Sequence, residues 1–397
     1  MAIYQYNFPT KIHFGAGAIG LLPGALREAS VERPLIVTDR GVGALPWVAA
    51  LEERLNSERL SARTFSGVFG NPVKSQVLAG VEAYRAHGAD SIVGLGGGAA
   101  LDVAKAIALL VNHPGDLFDY EDEKPGARPI DREIPFWVSV PTTAGTGSEV
   151  GRSTVVSDDE THVKKIIFSP RLLAQRVFAD PELTLELPSS VTAATGMDAL
   201  THLVEAYLAR GFQPFCDGIA LEGVRLVSKS LKTAVDFARR FEAGERGVRN
   251  DLAHVEARGR MLNAAMMGGV AFQKGLGVTH SLAHSLSTVR DLHHGLANGV
   301  VIPFAMRFNR DVSAERLADL AHAASAERKD ADGFIAWLEK LRADIGIPAT
   351  LGPLGVGVAD LDRLVDTAVG DACHPSNPRP VSRADFVTLF RAAIGAG

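Results

Sequence analysis

The sequence predicts two structural halves: an α/β N-terminal part built on a parallel sheet, and an all-α C-terminal part. Three observations carry this expectation. The chain has 397 residues, more than one ordinary core holds, so two domains of roughly 150–200 residues are expected. Short apolar runs alternate with helical patterns through the first half. Beyond Leu187-Pro188-Ser189 strand signals fade, and apolar spacing of three and four residues takes over. The expected domains are 1–187 and 188–397.

In the first half, Pro34–Asp39 (PLIVTD) reads as a buried strand ending in a polar residue. Ser91–Leu95 (SIVGL) reads as a second, followed by Gly96–Gly98, and Ile134–Val140 (IPFWVSV) as a third, ending at Pro141. Helical patterns at Ser75–His87 and Leu101–Val111 lie between them. Ligands of open parallel sheets bind at the carboxyl ends of strands. Asp39, Gly96–Asp102 and Thr142–Glu149 all fall there. In the second half, helical spacing runs through Val191–Leu208, Gly218–Phe237, Asp251–Met267 and Arg316–Ala324, and returns in Phe334–Leu341 and Asp360–Val369.

Composition narrows the class. Hydrophobic residues make up 46% and charged residues 22%, a globular rather than disordered profile. The formal net charge is −5 with no long basic run, so no nucleic-acid partner is expected. Two distant cysteines, Cys216 and Cys373, argue against a disulfide framework or a Cys-rich zinc site. The opening MAIYQYNFPTKIHFG lacks the apolar core of a signal peptide, and no apolar run reaches the roughly 18–20 residues of a membrane span. A cytoplasmic protein with no membrane partner is expected.

Gly96-Gly97-Gly98-Ala99-Ala100-Leu101-Asp102 follows a strand and opens a helix. Glycines there admit a diphosphate close to the backbone, and the N–H groups at the helix start donate to it. The run is not GxGxxG, and a tight strand-to-helix turn reads equally well. Asp39 could accept from the ribose hydroxyls of NAD and repel the extra phosphate of NADP, or simply cap a helix. Thr142–Ser148 offers hydroxyl donors to a polar ligand, and is equally compatible with a plain loop.

Asp198 and His202 lie four apart in a helical run, so they share a face, beside a core stripe of Met197, Leu200, Val204 and Leu208. His280 and His284 repeat that spacing, and His293-His294-Gly295 follows. Of twelve histidines, five fall in these two short segments, a concentration that a divalent metal explains. Imidazole with carboxylate suits iron(II) or zinc. Spacing alone leaves more candidate ligands than a four-ligand site needs. His374, beside Cys373, stays open as well.

These segments together resemble the iron-containing alcohol dehydrogenase family, related to the dehydroquinate synthase-like fold. The resemblance runs nearly the whole length, from Phe8–Gly15 through Gly96–Lys105, Pro141–Glu149, Ala193–His202, Gly275-Leu276-Gly277, His280/His284 and His294-Gly295 to Asn377-Pro378-Arg379. It implies an α/β N-terminal dinucleotide-binding domain followed by an all-α C-terminal metal-binding domain. The metal, Fe2+ with Zn2+ as the alternative, would be held by Asp198, His202, His280 and His294, with His293 excluded. His284 would lie beside the site as the catalytic, proton-handling group. NAD would contact Asp39, Asn71, Gly97, Gly98, Asp102, Thr142, Thr143, Gly151, Ser153, Lys164 and Leu183. Ala99 stands where the family often has Ser, which leaves only a backbone contact there. Gly151, Ser153, Gln273-Lys274 and Ser281–Asp291 also depart from common versions and bear on substrate choice.

The implied reaction is metal-assisted hydride transfer between NAD and a small primary alcohol or its aldehyde, by a homo-oligomer, dimer or larger. A glycerol-dehydrogenase-like or maleylacetate-reductase-like oxidoreductase is the alternative within the fold. A dehydroquinate synthase-like lyase is the alternative outside redox chemistry. The complete four-residue set argues against a metal-free variant, and no basic cluster flanks the metal motifs as an anionic lyase substrate would require.

Overall fold

The computed structural model describes residues 10–122 and 124–395, so Phe8 and Pro9 of the opening motif lie outside the described residues. The chain divides into two units. Among the described residues, one contains 10–143 and 148–184, and the other contains Ala144–Gly147 and 185–395.

The first unit contains strands β1 (Lys11–Phe14), β2 (Pro34–Asp39), β3 (Arg63–Val68), β4 (Ser91–Gly96), β5 (Phe136–Pro141), β6 (Ser153–Ser157), β7 (Lys164–Phe168) and β8 (Arg176–Ala179). Its helices are α1 (Leu22–Glu28), α2 (Arg40–Gly43), α3 (Pro46–Ser57), α4 (Lys74–His87) and α5 (Gly98–Leu110). Six strands form a parallel sheet in the order β1-β8-β5-β4-β2-β3, and β6 and β7 form a separate antiparallel pair. Strands β2 and β4 are buried almost throughout, which is why they read as continuous apolar runs. The edge strands β1 and β3 are half exposed, and β8 has four residues, so none gives a comparable signal.

Strand order creates the ligand crevice. The chain steps from β2 outward to β3, then returns past β2 to β4 and continues toward β5. The carboxyl ends of β2 and β4 therefore flank a topological switch point, where connecting segments diverge and leave a gap.

The hairpin β6–β7 is pinned to α5 by buried charge. Lys105 is completely buried, and its ammonium donates to Ser148 Oγ at 2.7 Å and to the Ser153 carbonyl at 2.8 Å. Asp102 accepts from Ser148 Oγ at 2.6 Å and from the Val155 N–H at 3.1 Å. Burial pushes the Asp102 carboxyl up and the Lys105 ammonium down. Glu149 beside them is 2% exposed, and its Oε1 has no hydrogen-bond partner among the described residues.

The second unit is helical among the described residues: α6 (Ser189–Leu208), α7 (Pro214–Glu242), α8 (Leu252–Ala271), α9 (Val278–Arg290), α10 (His294–Asn309), α11 (Ala314–Ala323), α12 (Ala331–Asp344), α13 (Leu361–Val369) and α14 (Arg383–Ile394). Helix α6 packs against α7, α8 and α10 and is buried on nearly every side, so its polar residues are sealed in with its apolar stripe. The segment Ala144–Gly147 belongs here. Gly147 has φ +65°, and a Cβ on it would lie 2.6 Å from the Ala265 carbonyl oxygen. Only glycine fits that seat. No helix among the described residues is long and apolar enough to cross a membrane.

Burial pushes the Glu149 carboxyl up to about 7, from an ordinary 4.5. Between those values only the unfolded state ionises, so this group's contribution to stability falls as pH rises through the window. Glu149→Gln keeps the shape and removes the charge. It should leave stability near pH 4 little changed and raise it by on the order of 3 kcal/mol at pH 8, read by chemical denaturation. Equal stabilities of both proteins at pH 8 would contradict this account.

Candidate metal centre and cofactor cleft

In the α/β unit, the switch point opens into a cleft of about 290 Å³ lined by Asp39, Arg40, Val68, Phe69, Gly97 and Ala99 among others. Asp39 faces this cleft and also caps α2, accepting the Val42 N–H at 2.9 Å. The cap and ligand readings of Asp39 are therefore compatible, since a carboxylate has two oxygens. Gly97 caps α5, Gly98 opens it, and the first N–H groups of the helix have no intrahelical acceptor. The Thr142 N–H donates to the Gly96 carbonyl at 2.9 Å, tying the ends of β4 and β5 together.

The remaining expected cofactor residues are dispersed. Asp102 and Ser153 take part in the buried network around Lys105. Ser153 pairs with Phe168 and Lys164 with Ser157, so Ser153 and Lys164 stand at opposite ends of the hairpin. The Gly151 N–H donates to the Ser148 carbonyl, and Leu183 packs on the core beneath the sheet. Thr143 approaches Gly97, and Asn71 lies half-buried between β3 and α4. Arg40 stacks on Phe69 at 3.9 Å in the cleft. Sequence reasoning missed this pair because the two residues meet only through the pairing of β2 with β3.

The helical unit gathers the histidine segments. Helix α6 supplies Asp198 and His202, α9 supplies His280 and His284, and the start of α10 supplies His294. One donor atom from each of Asp198, His280 and His294 falls within 4.8 Å of the others. His202 lies alongside, its ring stacked on that of His280 with centroids 4.6 Å apart. His294 Nε2 is 3.3 Å from Asp198 Oδ1. This approach depends on Gly295, where a Cβ would lie 2.3 Å from the Ala194 carbonyl oxygen of α6. His293 instead caps α10, accepting the Leu296 N–H.

Two residues not singled out from sequence orient the cluster. Glu205, one turn beyond His202, is 2% exposed and accepts from His280 Nδ1 at 2.7 Å. It also accepts the Gly277 and Thr279 N–H groups at 2.9 and 2.6 Å, and so fixes the start of α9. Asn298 Nδ2 lies 2.8 Å from Asp198 Oδ1 and 3.2 Å from His294 Nε2. Position was the available signal: Glu205 stands seven residues after Asp198, and Asn298 four after His294. Lys274 points away from any substrate role, into an ion pair with Asp217 at 2.5 Å.

Electrostatics fit a cation. Burial alone would push the Asp198 carboxyl up, but the surrounding histidines outweigh it and hold it well below the usual carboxylate range. Burial lowers His202 to about 4, so it is neutral near pH 7. Burial acts the same way on His280, but the Glu205 hydrogen bond outweighs it and raises the group. With Nδ1 engaged by Glu205, the buried Nε2 of His280 has no hydrogen-bond partner among the described residues; nor does Nδ1 of His202. A carboxylate beside imidazole nitrogens is the donor set of an iron(II) or zinc ion.

His284 stacks on His294, with centroids 5.1 Å apart and planes 21° apart. Its Nδ1 lies 2.7 Å from Asp371 Oδ2. Asp371 also accepts from Ser281 Oγ and from the Cys373 N–H. Sequence reasoning missed it as well, because 87 positions separate it from His284.

Comparison with known proteins agrees with both halves. Residues 9–181 match the family model described as iron-containing alcohol dehydrogenase, and residues 192–394 match the C-terminal model of the same family. A 4-hydroxybutyrate dehydrogenase of Cupriavidus necator is 38% identical over 97% of this chain and 98% of that protein. A 1,3-propanediol dehydrogenase of Klebsiella pneumoniae is 34% identical over 99% of each chain. The crystal structure of a 1,3-propanediol oxidoreductase superposes with a TM-score of 0.90 at 33% identity, covering 99% of this chain and 100% of that one. The chain belongs to the iron-containing alcohol dehydrogenase family and is a metal-dependent oxidoreductase.

Glu205→Gln keeps the side chain's size but weakens its grip on His280. Metal affinity measured by chelator competition should fall about 10–100-fold, with helical content unchanged by circular dichroism. Undiminished affinity would mean that Glu205 only fastens α9.

Proposed function

We propose that the protein interconverts a small primary alcohol and its aldehyde, with NAD as hydride carrier and Fe2+ held by Asp198, His202, His280 and His294. The observation that carries this is the buried carboxylate–imidazole cluster, in which Glu205 fixes His280 and leaves its Nε2 for a cation. When bound, the metal supplies Lewis acidity toward the substrate oxygen, and NAD accepts or donates the hydride. The names of relatives support the same chemistry: an NAD-dependent methanol dehydrogenase of Bacillus methanolicus is 32% identical over 98% of this chain. Dehydrogenases of alcohols, diols and a hydroxy acid among the matches favour this reading over a lyase.

In this proposal residues 1–187 serve the cofactor and 188–397 the metal. The backbone N–H groups at Gly97, Gly98 and Ala99 hold the diphosphate. Asp39 accepts from the ribose, and Asn71, Asp102, Thr142, Thr143, Gly151, Ser153, Lys164 and Leu183 complete the cofactor contacts. Asn298 steadies Asp198 and His294. His284, with Nδ1 committed to Asp371, offers Nε2 for moving the substrate proton. A cytoplasmic location belongs to the same proposal; the absence of a disulfide between Cys216 and Cys373 suits a reducing compartment. So does a homo-oligomer, supported by a sheet that, among the described residues, ends at β1 with Phe14 49% exposed. Light scattering that returns a monomer mass removes it.

The test of function is NADH production by iron-loaded protein offered short alcohols, diols and hydroxy acids; no turnover with any of them overturns the reading. Single Ala replacements of Asp198, His202, His280 and His294 should each abolish turnover and strip bound metal, as measured by mass spectrometry. His284→Ala should keep the metal and lose roughly 10²–10⁴-fold in kcat. A metal-replete, active His294→Ala variant would break the ligand assignment.

Cofactor choice follows from the charge at Asp39, which meets the 2′-phosphate of NADP unfavourably. Steady-state kinetics should show higher kcat/KM with NAD, and Asp39→Gly should narrow the gap. Equal efficiency with NADP in the unaltered protein contradicts this role for Asp39.

A further inference from the structure

We propose that His284, Asp371 and Cys373 form a second metal site, distinct from the Asp198-centred cluster, that takes a thiophilic divalent ion such as Zn2+ or Cd2+. One donor atom from each of the three residues lies within 4.8 Å of the others. The arrangement is built rather than incidental. Helix α9 presents His284, and the loop after α13 presents Asp371 and Cys373. That loop is fastened to α9 at two points: Ser281 Oγ donates to Asp371 Oδ1 at 2.7 Å, and the His374 N–H donates to Ser281 Oγ at 3.0 Å. The Cys373 N–H closes back on Asp371 Oδ1 at 2.9 Å, which holds the cysteine beside the carboxylate.

Donor chemistry decides which ion fits. The set is one imidazole nitrogen, one carboxylate oxygen and one sulfur. Thiolate selects zinc, cadmium or copper(I) over magnesium and calcium. Three protein ligands with a water in the fourth position make an ordinary open zinc site. Tetrahedral bonds of about 2.0 Å put a ligating nitrogen and oxygen about 3.3 Å apart. The His284 Nδ1–Asp371 Oδ2 pair, now at 2.7 Å, must therefore open slightly. A loop carboxylate can do this more readily than one inside a helix. Side-chain exposures of 24% for His284 and 14% for Asp371 leave a way in. Binding moves the imidazole proton from Nδ1 to Nε2 and releases the thiol proton to solvent. The Asp198 cluster contains no sulfur, so the two sites differ in softness. The thiolate makes the second the more selective for zinc and cadmium.

The site has a functional consequence that rests on the role proposed for His284. An ion on Nδ1 fixes the ring and leaves Nε2 protonated, so the residue no longer exchanges a proton. Excess Zn2+ should then inhibit the iron-loaded enzyme while its iron, counted by mass spectrometry, stays bound.

Cd2+ titration of the iron-loaded protein tests the site by the ultraviolet charge-transfer absorption of a thiolate–cadmium bond. One thiolate–Cd2+ bond per chain is expected. Cys373→Ser should abolish it, and Cys216→Ser should leave it intact because Cys216 is 1% exposed. Asp371→Ala and His284→Ala should each weaken Cd2+ binding tenfold or more. Zinc X-ray absorption on the unaltered, iron-loaded enzyme needs no variant and should show one sulfur at about 2.3 Å. Absence of the cadmium band, its persistence in Cys373→Ser, or a zinc spectrum without sulfur overturns the site. Zinc bound through sulfur without inhibition supports the site and overturns the proton-handling role of His284.

Discussion

A buried carboxylate surrounded by imidazole lone pairs is the constraint on which the helical unit depends. Asp198, His202 and His280 are 2%, 6% and 1% exposed. An uncompensated charge at such depth costs several kcal/mol, and the ring nitrogens His280 Nε2 and His202 Nδ1, which have no hydrogen-bond partner among the described residues, add their own desolvation cost. The surrounding architecture follows from holding these groups together. Helix α6 has to be enclosed on all sides because it carries both polar and apolar faces inward. Helix α10 has to come close enough to lay His294 against Asp198, which Gly295 permits. Helix α9 has to start at one place and one angle, which the Glu205 carboxylate secures by gripping its first turn and His280 together.

The α/β unit meets the opposite problem. There the completely buried group is a cation, Lys105, and its acceptors come from within: Ser148 Oγ, the Ser153 carbonyl and the nearby Asp102 carboxylate. No outside ligand is needed to complete it. One unit therefore pairs its buried cation from within, while the other holds a donor set suited to a cation.

Local signals were legible in proportion to how local their physics is. Strand β2 and helix α4 were readable because burial on two faces, or one helical period, writes itself into adjacent residues. Helix α10 was not, since Gly295, Gly299 and Pro303 obscure its period; those glycines are there for close packing. Edge strands β1 and β3 lack the apolar run that identifies a central strand. The candidate metal residues stood out because pairs four apart share a helix face. Glu205, Asn298 and Asp371 did not, because their importance arises from contacts 75, 100 and 87 residues away in sequence. Cofactor residues were the least resolved. Asp39 is at once a helix cap and a cleft wall, and Asp102 anchors a hairpin, so residue type alone could not separate the roles.

The seat of Gly147 has a consequence for how the chain is made. Its close neighbours, Ala265 and Gly269, are encoded more than a hundred residues later. At about 5–20 residues per second, the ribosome needs on the order of ten seconds to supply them. Through that interval the strands on either side of the loop can pair while Ala144–Gly147 has nowhere to dock. The nascent protein should therefore carry a cleavable loop between otherwise protected segments. Protease digestion of stalled nascent chains should show that cut disappearing once α8 has cleared the exit tunnel, whereas protection before α8 is synthesised would mean the loop is held by something else.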